Sequence, residues 1–161
     1  MKQYEIKGSN LTLRVKQAPV FIRGLLFVVA FLFFIHPLVG IIFYAPFGGG
    51  FHFWYFIWFA VYGVLGFYLL RLALWNTYGK EKITIGKNSV NYFVDYGWFK
   101  DKIKEAKIDA PITFSVNPNG YSDRRGRLMI GHNDASINSA VRMPLEQLQE
   151  LIGELNKTQV T

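Results

Sequence analysis

The pattern of apolar and polar residues divides the chain into a hydrophobic first half and a polar second half. No Lys, Arg, Asp or Glu occurs between Gly24 and Leu70. A helix rises about 1.5 Å per residue, so about 20 apolar residues cross a hydrocarbon core of about 30 Å, and the uncharged run is long enough for two crossings. Ala-Pro-Phe-Gly-Gly-Gly at 45–50 interrupts the run, and clustered Gly and Pro break helices. The pattern therefore predicts two membrane-spanning helices, about Val20–Tyr44 and His52–Trp75.

The apolar half admits two other interpretations. A buried helix pair of a soluble protein is disfavoured because every charge is missing over so long a run. A secretory signal is disfavoured because the run begins only near Val20, exceeds the length of a signal core and lacks a small-residue cleavage site. Within the second helix, Ala60, Gly63 and Gly66 recur three residues apart. They predict a smooth helix-packing stripe, which serves either the first helix or a second copy of the chain in a homo-oligomer.

Short segments with strand periodicity flank the hydrophobic half. Residues 3–16 alternate on either side of Gly-Ser-Asn and predict a β-hairpin, which must pack on the C-terminal domain because an isolated hairpin is marginally stable. After Asn76, six closely spaced strand candidates predict a small antiparallel barrel or sandwich. They are residues 82–85, 89–95, 98–104, 112–116, 127–131 and 140–143. Leucines at helical spacing from Pro144 to about Lys157 predict an amphipathic helix that closes one end of the barrel.

These elements define the predicted fold class as a transmembrane α-helical hairpin plus an α+β domain. Residues 1–18 form the N-terminal β-hairpin, residues 19–76 the membrane hairpin, and residues 77–161 the domain that carries the strands and the C-terminal helix. The net charge is +7, of which residues 1–23 carry +4, while the turn between the helices has no Lys or Arg. The positive-inside rule therefore predicts a multi-pass inner-membrane protein with both termini in the cytoplasm. Because topology accounts for most of the basic charge, no nucleic-acid partner is expected.

Three stretches of the polar half carry a resemblance to a known family. They are Glu-Lys-Ile-Thr-Ile-Gly-Lys-Asn-Ser-Val-Asn-Tyr at 81–92, the strand at Trp98, and Pro-Leu-Glu-Gln-Leu-Gln-Glu-Leu at 144–151. Together with the two spans, they resemble the membrane-anchored bacterial pleckstrin-homology-like (PH-like) family over roughly residues 21–157. The resemblance implies a partly open seven-stranded barrel capped by a helix, in which residues 11–16 supply the missing strand. It implies no catalytic residues, and the N-terminal hairpin departs from the simplest family layout.

The clearest candidate for ligand binding is the basic cluster Arg124, Arg125 and Arg127, which follows a polar loop. Guanidinium groups bind phosphate well, and basic loops are attracted to an anionic leaflet. The alternative is a solvated loop that Asp123 partly neutralises.

The remaining polar residues give no sign of a metal or catalytic site. The chain has no Cys, and its three histidines, His36, His52 and His132, are far apart in sequence. His36 and His52 are interpreted as interfacial residues beside the turn, and His132 has no nucleophile near it in sequence. The sequence therefore predicts no cofactor, no metal site and no enzyme.

Three classes of function were compared. The leading hypothesis is a non-enzymatic, membrane-anchored protein whose cytoplasmic domain binds a protein partner or anionic lipid. The alternative is a membrane immunity protein that neutralises a membrane-targeting toxin through its hairpin. A small membrane enzyme or transporter component is disfavoured because no carboxylate lies within the apolar run.

Overall fold

The computed structural model describes most of the chain, with gaps at the two ends and in several loops. The described residues are 2–44, 53–86, 89–107, 112–118, 124–131 and 136–159. They form two compact units. One comprises Met1–Lys16 together with Tyr78–Thr161, and the other comprises Gln17–Thr77.

Two long helices make up the second of these units. Helix α1 spans Val20–Tyr44 and continues through Pro37, and helix α2 spans Phe53–Tyr78. Both helices are long and apolar enough to cross a membrane. Many large apolar side chains along both helices are exposed, among them Phe21 at 79% and Val64 at 70%. A helix that is apolar all round is typical of an apolar environment rather than of a protein surface in water. Helix α2 ends three residues beyond the predicted Trp75, and the predicted turn at 45–50 lies outside the described residues.

The polar unit contains a five-stranded antiparallel sheet with the strand order β1-β2-β3-β4-β5. Its strands are β1 Tyr4–Lys7, β2 Asn10–Arg14, β3 Lys80–Ile85, β4 Ser89–Asp95 and β5 Lys100–Lys107. The N-terminal hairpin is part of this sheet, because β2 pairs with β3 along its whole length, from Asn10 opposite Thr84 to Arg14 opposite Lys80. Buried and more exposed residues alternate along β2 and β3, so one face of the sheet lies toward the core. Arg14, Lys80 and Lys82 lie on the other face.

A second, smaller sheet and the C-terminal helix complete the polar unit. Strand β7 pairs with the other three strands, which are all antiparallel to it. The strands are β6 Phe114–Pro118, β7 Arg125–Ile130, β8 Ile137–Asn138 and β9 Met143–Pro144, and helix α3 spans Leu145–Gln159.

The apolar stripe of α3 packs on the face of the second sheet. Leu148 and Leu151 are fully buried, as are Leu128 and Met143 of the sheet. Gly126 allows the close approach, because a Cβ atom there would lie within 3.1 Å of side-chain atoms from both α3 and β6. Burial of these leucines supplies the hydrophobic stabilisation of this side of the unit.

The structure confirms the two apolar helices, the antiparallel sheets and the C-terminal helix, but of the two predicted forms of the domain, a barrel or a sandwich, it corrects the barrel. Among the described residues β5 pairs only with β4, and β6 pairs only with β7, so the sheets do not close on each other. Helix α3 consequently covers a sheet face instead of closing a barrel end. Three strand predictions also shift, and one of them moves from 112–116 to Phe114–Pro118. Residues 96–99 form a turn before β5, and residues 139–142 form a loop between β8 and β9.

Candidate functional site

The three predicted arginines lie at the start of β7, beside the N-terminus of α3. Arg124 is exposed and has a left-handed backbone conformation with φ 49°. Its carbonyl oxygen accepts a hydrogen bond from the Leu145 N–H at 3.1 Å, which fixes the chain at this point. Arg125 and Arg127 alternate with the buried Gly126 along β7 and therefore extend from the sheet face opposite α3. The structure thus places two of the three guanidinium groups on one surface of a strand.

The surface around Arg127 is polar. Arg127 lies opposite Asn117 in the register, and the Asn117 side-chain amide donates to Asn138 Oδ1 at 3.2 Å. Arg127 Nε is buried, as is the hydroxyl of Ser115, and neither atom has a hydrogen-bond partner among the described residues. Guanidinium and amide groups held on a β-sheet can donate hydrogen bonds to the oxygens of a phosphate or a carboxylate. Asp123, which partly neutralises the loop in the alternative interpretation, lies outside the described residues.

A buried carboxyl group that sequence reasoning missed lies in the polar unit. Glu81 of β3 has no exposed surface. Its Oε1 accepts hydrogen bonds from the Tyr92 hydroxyl at 3.0 Å, the Ala140 N–H at 2.6 Å and the Val141 N–H at 3.1 Å. Oε2 has no hydrogen-bond partner among the described residues. Because Ala140 and Val141 lie between β8 and β9, this carboxyl group links the first sheet to the second.

Burial has the largest effect on the pKa values of Glu81 and Tyr92. Desolvation raises the pKa of Glu81 to about 7, because the charged carboxylate loses its hydration. The hydrogen bonds from Ala140, Tyr92 and Val141 and the charge of Lys102 act in the opposite direction. Burial also raises the pKa of Tyr92, and the nearby Glu81 carboxyl adds to that effect. The carboxyl therefore exchanges its proton near neutral pH, whereas the tyrosine stays neutral there.

Strand β5, which carries Lys102, is irregular near the Glu81 carboxyl group. The pairing of β4 with β5 shifts register between Tyr92 and Val94, which indicates a β-bulge. Lys102 has φ 52°, and its N–H donates to Asp101 Oδ1 at 2.7 Å. The bulge leaves Ile103 79% exposed on this edge strand.

No family model, curated protein or solved structure matches this chain. The resemblance to the PH-like family therefore remains a prediction from the sequence pattern.

In the helical unit, the members of the predicted packing stripe have different surroundings. Gly66 is buried, and a Cβ atom there would lie 3.1 Å from the ring of Phe34 on α1. A Cβ atom at Gly63 would meet nothing within 4 Å, and Ala60 is exposed. Only the Gly66 end of the stripe therefore lies against α1.

The described histidine belongs to an aromatic cluster in the same unit. The ring of His36 lies 4.9 Å from the ring of Tyr62, and Tyr62 lies 5.5 Å from Phe33. These residues border an apolar recess of about 480 Å³. His52 and His132 lie outside the described residues, and no group of metal-binding side chains occurs within the part of the chain that is described.

Proposed function

We propose that the protein is an integral protein of the bacterial inner membrane, with two spans and with both termini in the cytoplasm. The exposed apolar surface of α1 and α2 supports the spans, because a bilayer would cover it. The excess of basic residues before α1 supports the orientation.

The pairing of β2 with β3 supports an even number of crossings. Strand β2 ends at Arg14, before α1, and β3 begins at Lys80, after α2. These two residues lie opposite each other in the register. Since the backbones of paired strands are about 5 Å apart, both ends of the helical segment must emerge on the same side of the membrane.

The polar unit is proposed to act as a non-enzymatic interaction module at the inner face of the membrane. The observation that carries this proposal is the surface of the second sheet on which Arg125 and Arg127 extend beside Asn117 and Asn138. Its donors suit an anionic ligand, either the carboxylates of an acidic protein segment or the phosphates of anionic lipids. A PH-like fold fits the succession of antiparallel strands and one C-terminal helix.

Site-specific crosslinking in cells tests this function. A photoreactive amino acid at Met129, which shares the outward face with Arg127, should capture a protein partner or anionic lipid, to be identified by mass spectrometry. The double variant Arg125→Gln/Arg127→Gln should lose at least about tenfold of the adduct, because two charge-assisted contacts are removed. The control is Lys104→Gln/Lys107→Gln, which removes the same charge from exposed positions of β5. Equal adduct yields from the two double variants would refute the role of this surface.

Neutralisation of a membrane-targeting toxin is the second proposed function. The apolar recess of α1, lined by Leu32, His36 and Val39 together with Tyr62 of α2, offers a surface for an apolar toxin segment. In this case Val39→Trp, which fills the recess, should abolish protection of cells against the toxin, whereas Arg125→Gln/Arg127→Gln should leave it unchanged. The opposite result would assign any protection to the polar unit.

A further inference from the structure

The turn between β4 and β5 presents a large exposed indole on a fixed backbone. Tyr96 donates its N–H to the Phe99 carbonyl oxygen at 3.0 Å, and the two rings stack with centroids 4.8 Å apart. Gly97 has φ 87°, and its N–H donates to Asp95 Oδ1 at 2.9 Å. Trp98, at the tip, is 62% exposed. The turn is therefore well braced, while most of the indole surface faces outward.

This turn lies beside the last residue of α2. A Cβ atom at Gly97 would lie 2.9 Å from Cβ of Tyr78, so the backbone of the turn packs directly on that side chain. Tyr78 is the residue at which α2 ends, and it belongs to the polar unit, as the turn does. Under the proposed topology, the cytoplasmic end of α2 reaches the headgroup region, where Trp and Tyr are enriched. The turn is thus held close to the residue that marks this boundary.

Basic side chains line the same end of the first sheet. The register places Arg14, Lys80, Asp95 and Lys100 in one row across β2, β3, β4 and β5. Three of these four side chains are cationic. Lys100 Nζ lies 5.1 Å from the ring of Phe93, which leads into the turn. An aromatic tip and a row of cations therefore occur together at one edge of the unit.

We propose that the β4–β5 turn rests on the cytoplasmic leaflet, with Trp98 in the interface and Lys80 and Lys100 against anionic headgroups. The amphipathic indole suits the boundary between acyl chains and headgroups, and long lysine side chains reach phosphates from just above it. A bilayer surface is the occupant that the observations favour, because the turn packs on the terminal residue of a helix proposed to cross it. The inference rests on the proposed membrane topology, but it does not depend on the Arg125 and Arg127 surface.

Fluorescence quenching by lipids brominated near the headgroup tests the contact on the full chain in nanodiscs. The difference between the wild type and Trp98→Phe isolates the signal of Trp98 from those of Trp54, Trp58 and Trp75. We expect this difference signal to fall about twofold in brominated lipid that contains phosphatidylglycerol, and less in phosphatidylcholine alone. Lys80→Gln/Lys100→Gln should remove the additional quenching of Trp98 that phosphatidylglycerol causes. Lys104→Gln/Lys107→Gln, an equal loss of charge farther along β5, should preserve it.

The tryptophans that remain in Trp98→Phe separate this inference from the proposed topology. If they are quenched and Trp98 is not, the chain is inserted in the bilayer and the turn does not touch it, which overturns the inference alone. If neither is quenched, the membrane topology fails as well. Quenching of Trp98 that does not depend on lipid charge would overturn the contact of Lys80 and Lys100 with anionic headgroups.

Discussion

The raised pKa of Glu81 should make the stability of the wild-type protein depend on pH between about 4.5 and 7, and replacing Glu81 with glutamine should remove this dependence. The substitution keeps the Oε1 acceptor that receives hydrogen bonds from Tyr92, Ala140 and Val141. It abolishes the charge and the titration. The neighbouring ionisable groups, Tyr92 and Lys102, stay in place, so the comparison isolates a single carboxyl group.

The magnitude follows from the difference between the folded and unfolded states. The pKa of Glu81 rises from 4.5 to about 7 on folding. Between these values the folded chain keeps a proton that the unfolded chain has released, so the free energy of unfolding falls as the pH rises. One pKa unit corresponds to about 1.4 kcal/mol, which gives a loss of about 3 kcal/mol, complete just above the folded pKa. At pH 8 the free energy of unfolding of Glu81→Gln should exceed that of the wild type by up to this amount. The difference is smaller by about 1–3 kcal/mol if the new amide N–H has no acceptor.

The assay is urea denaturation of the full chain in detergent micelles, followed by near-ultraviolet circular dichroism at several pH values from 4 to 8. The wild type should lose stability across this range, and Glu81→Gln should lose about 3 kcal/mol less. Glu105→Gln, an exposed glutamate on β5, is the control and should follow the wild type. Tyr92→Phe should raise the pKa of Glu81 further, because it removes a donor to the carboxylate, and carboxyl carbon NMR measures this directly. Parallel pH profiles for the wild type and Glu81→Gln would contradict the raised pKa of Glu81 in the folded protein.

Three further predictions concern packing and the independence of the polar unit. Gly126→Ala should lower the free energy of unfolding by about 1–3 kcal/mol, because its Cβ would enter the contact between α3 and β6. The control is Gly153→Ala on the open side of α3, which should be neutral or stabilising in the same denaturation assay. Gly66→Ala should weaken the helix hairpin by about 1 kcal/mol relative to Gly63→Ala, measured by unfolding in dodecyl sulfate, because only the former meets a phenylalanine ring. Replacing Gln17–Thr77 with a short Gly-Ser turn should give a water-soluble, folded polar unit with dispersed amide NMR signals, since the strands on either side are already paired. Equal stabilities within either glycine pair, or an aggregated deletion variant, would contradict these expectations.

The sequence predicts the elements that depend on one continuous segment better than the features that depend on contacts between distant residues. Helix α1 was predicted with the bounds Val20–Tyr44, since lack of charge over one continuous segment is read directly from the residues. Strand β4 was also predicted with its observed bounds. The strand candidate at 98–104 was displaced because its first residues complete the turn that Gly97 permits, a conformation set by contact with Tyr78. Closure into a barrel depends on pairing between strands distant in sequence, which alternation does not specify.

Glu81 could have been found from the sequence by its position, although its partners could not. In the strand Lys-Glu-Lys-Ile-Thr-Ile, Glu81 shares a face with Ile83 and Ile85, so period-2 alternation directs a carboxyl group toward the core. A charged group so placed must be paired or neutral. The donors that surround it come from Ala140 and Val141, almost sixty residues later, and backbone N–H groups leave no trace in a sequence pattern.

The arrangement of strands also suits the proposed anchoring of the polar unit by the helical hairpin. The helices are inserted between two strands that pair with each other, β2 and β3, and the row that continues from this pair across the sheet holds Lys80 and Lys100. The residues next to an insertion point are held close to whatever the insertion enters, so under the proposed topology cations there would meet the membrane surface without an additional binding step. Because effective concentration falls with tether length, the single residue between α2 and β3, Gly79, would make even a weak headgroup contact effective. Lengthening this connection with a flexible insert should therefore weaken the Trp98 contact while leaving α2 in the bilayer.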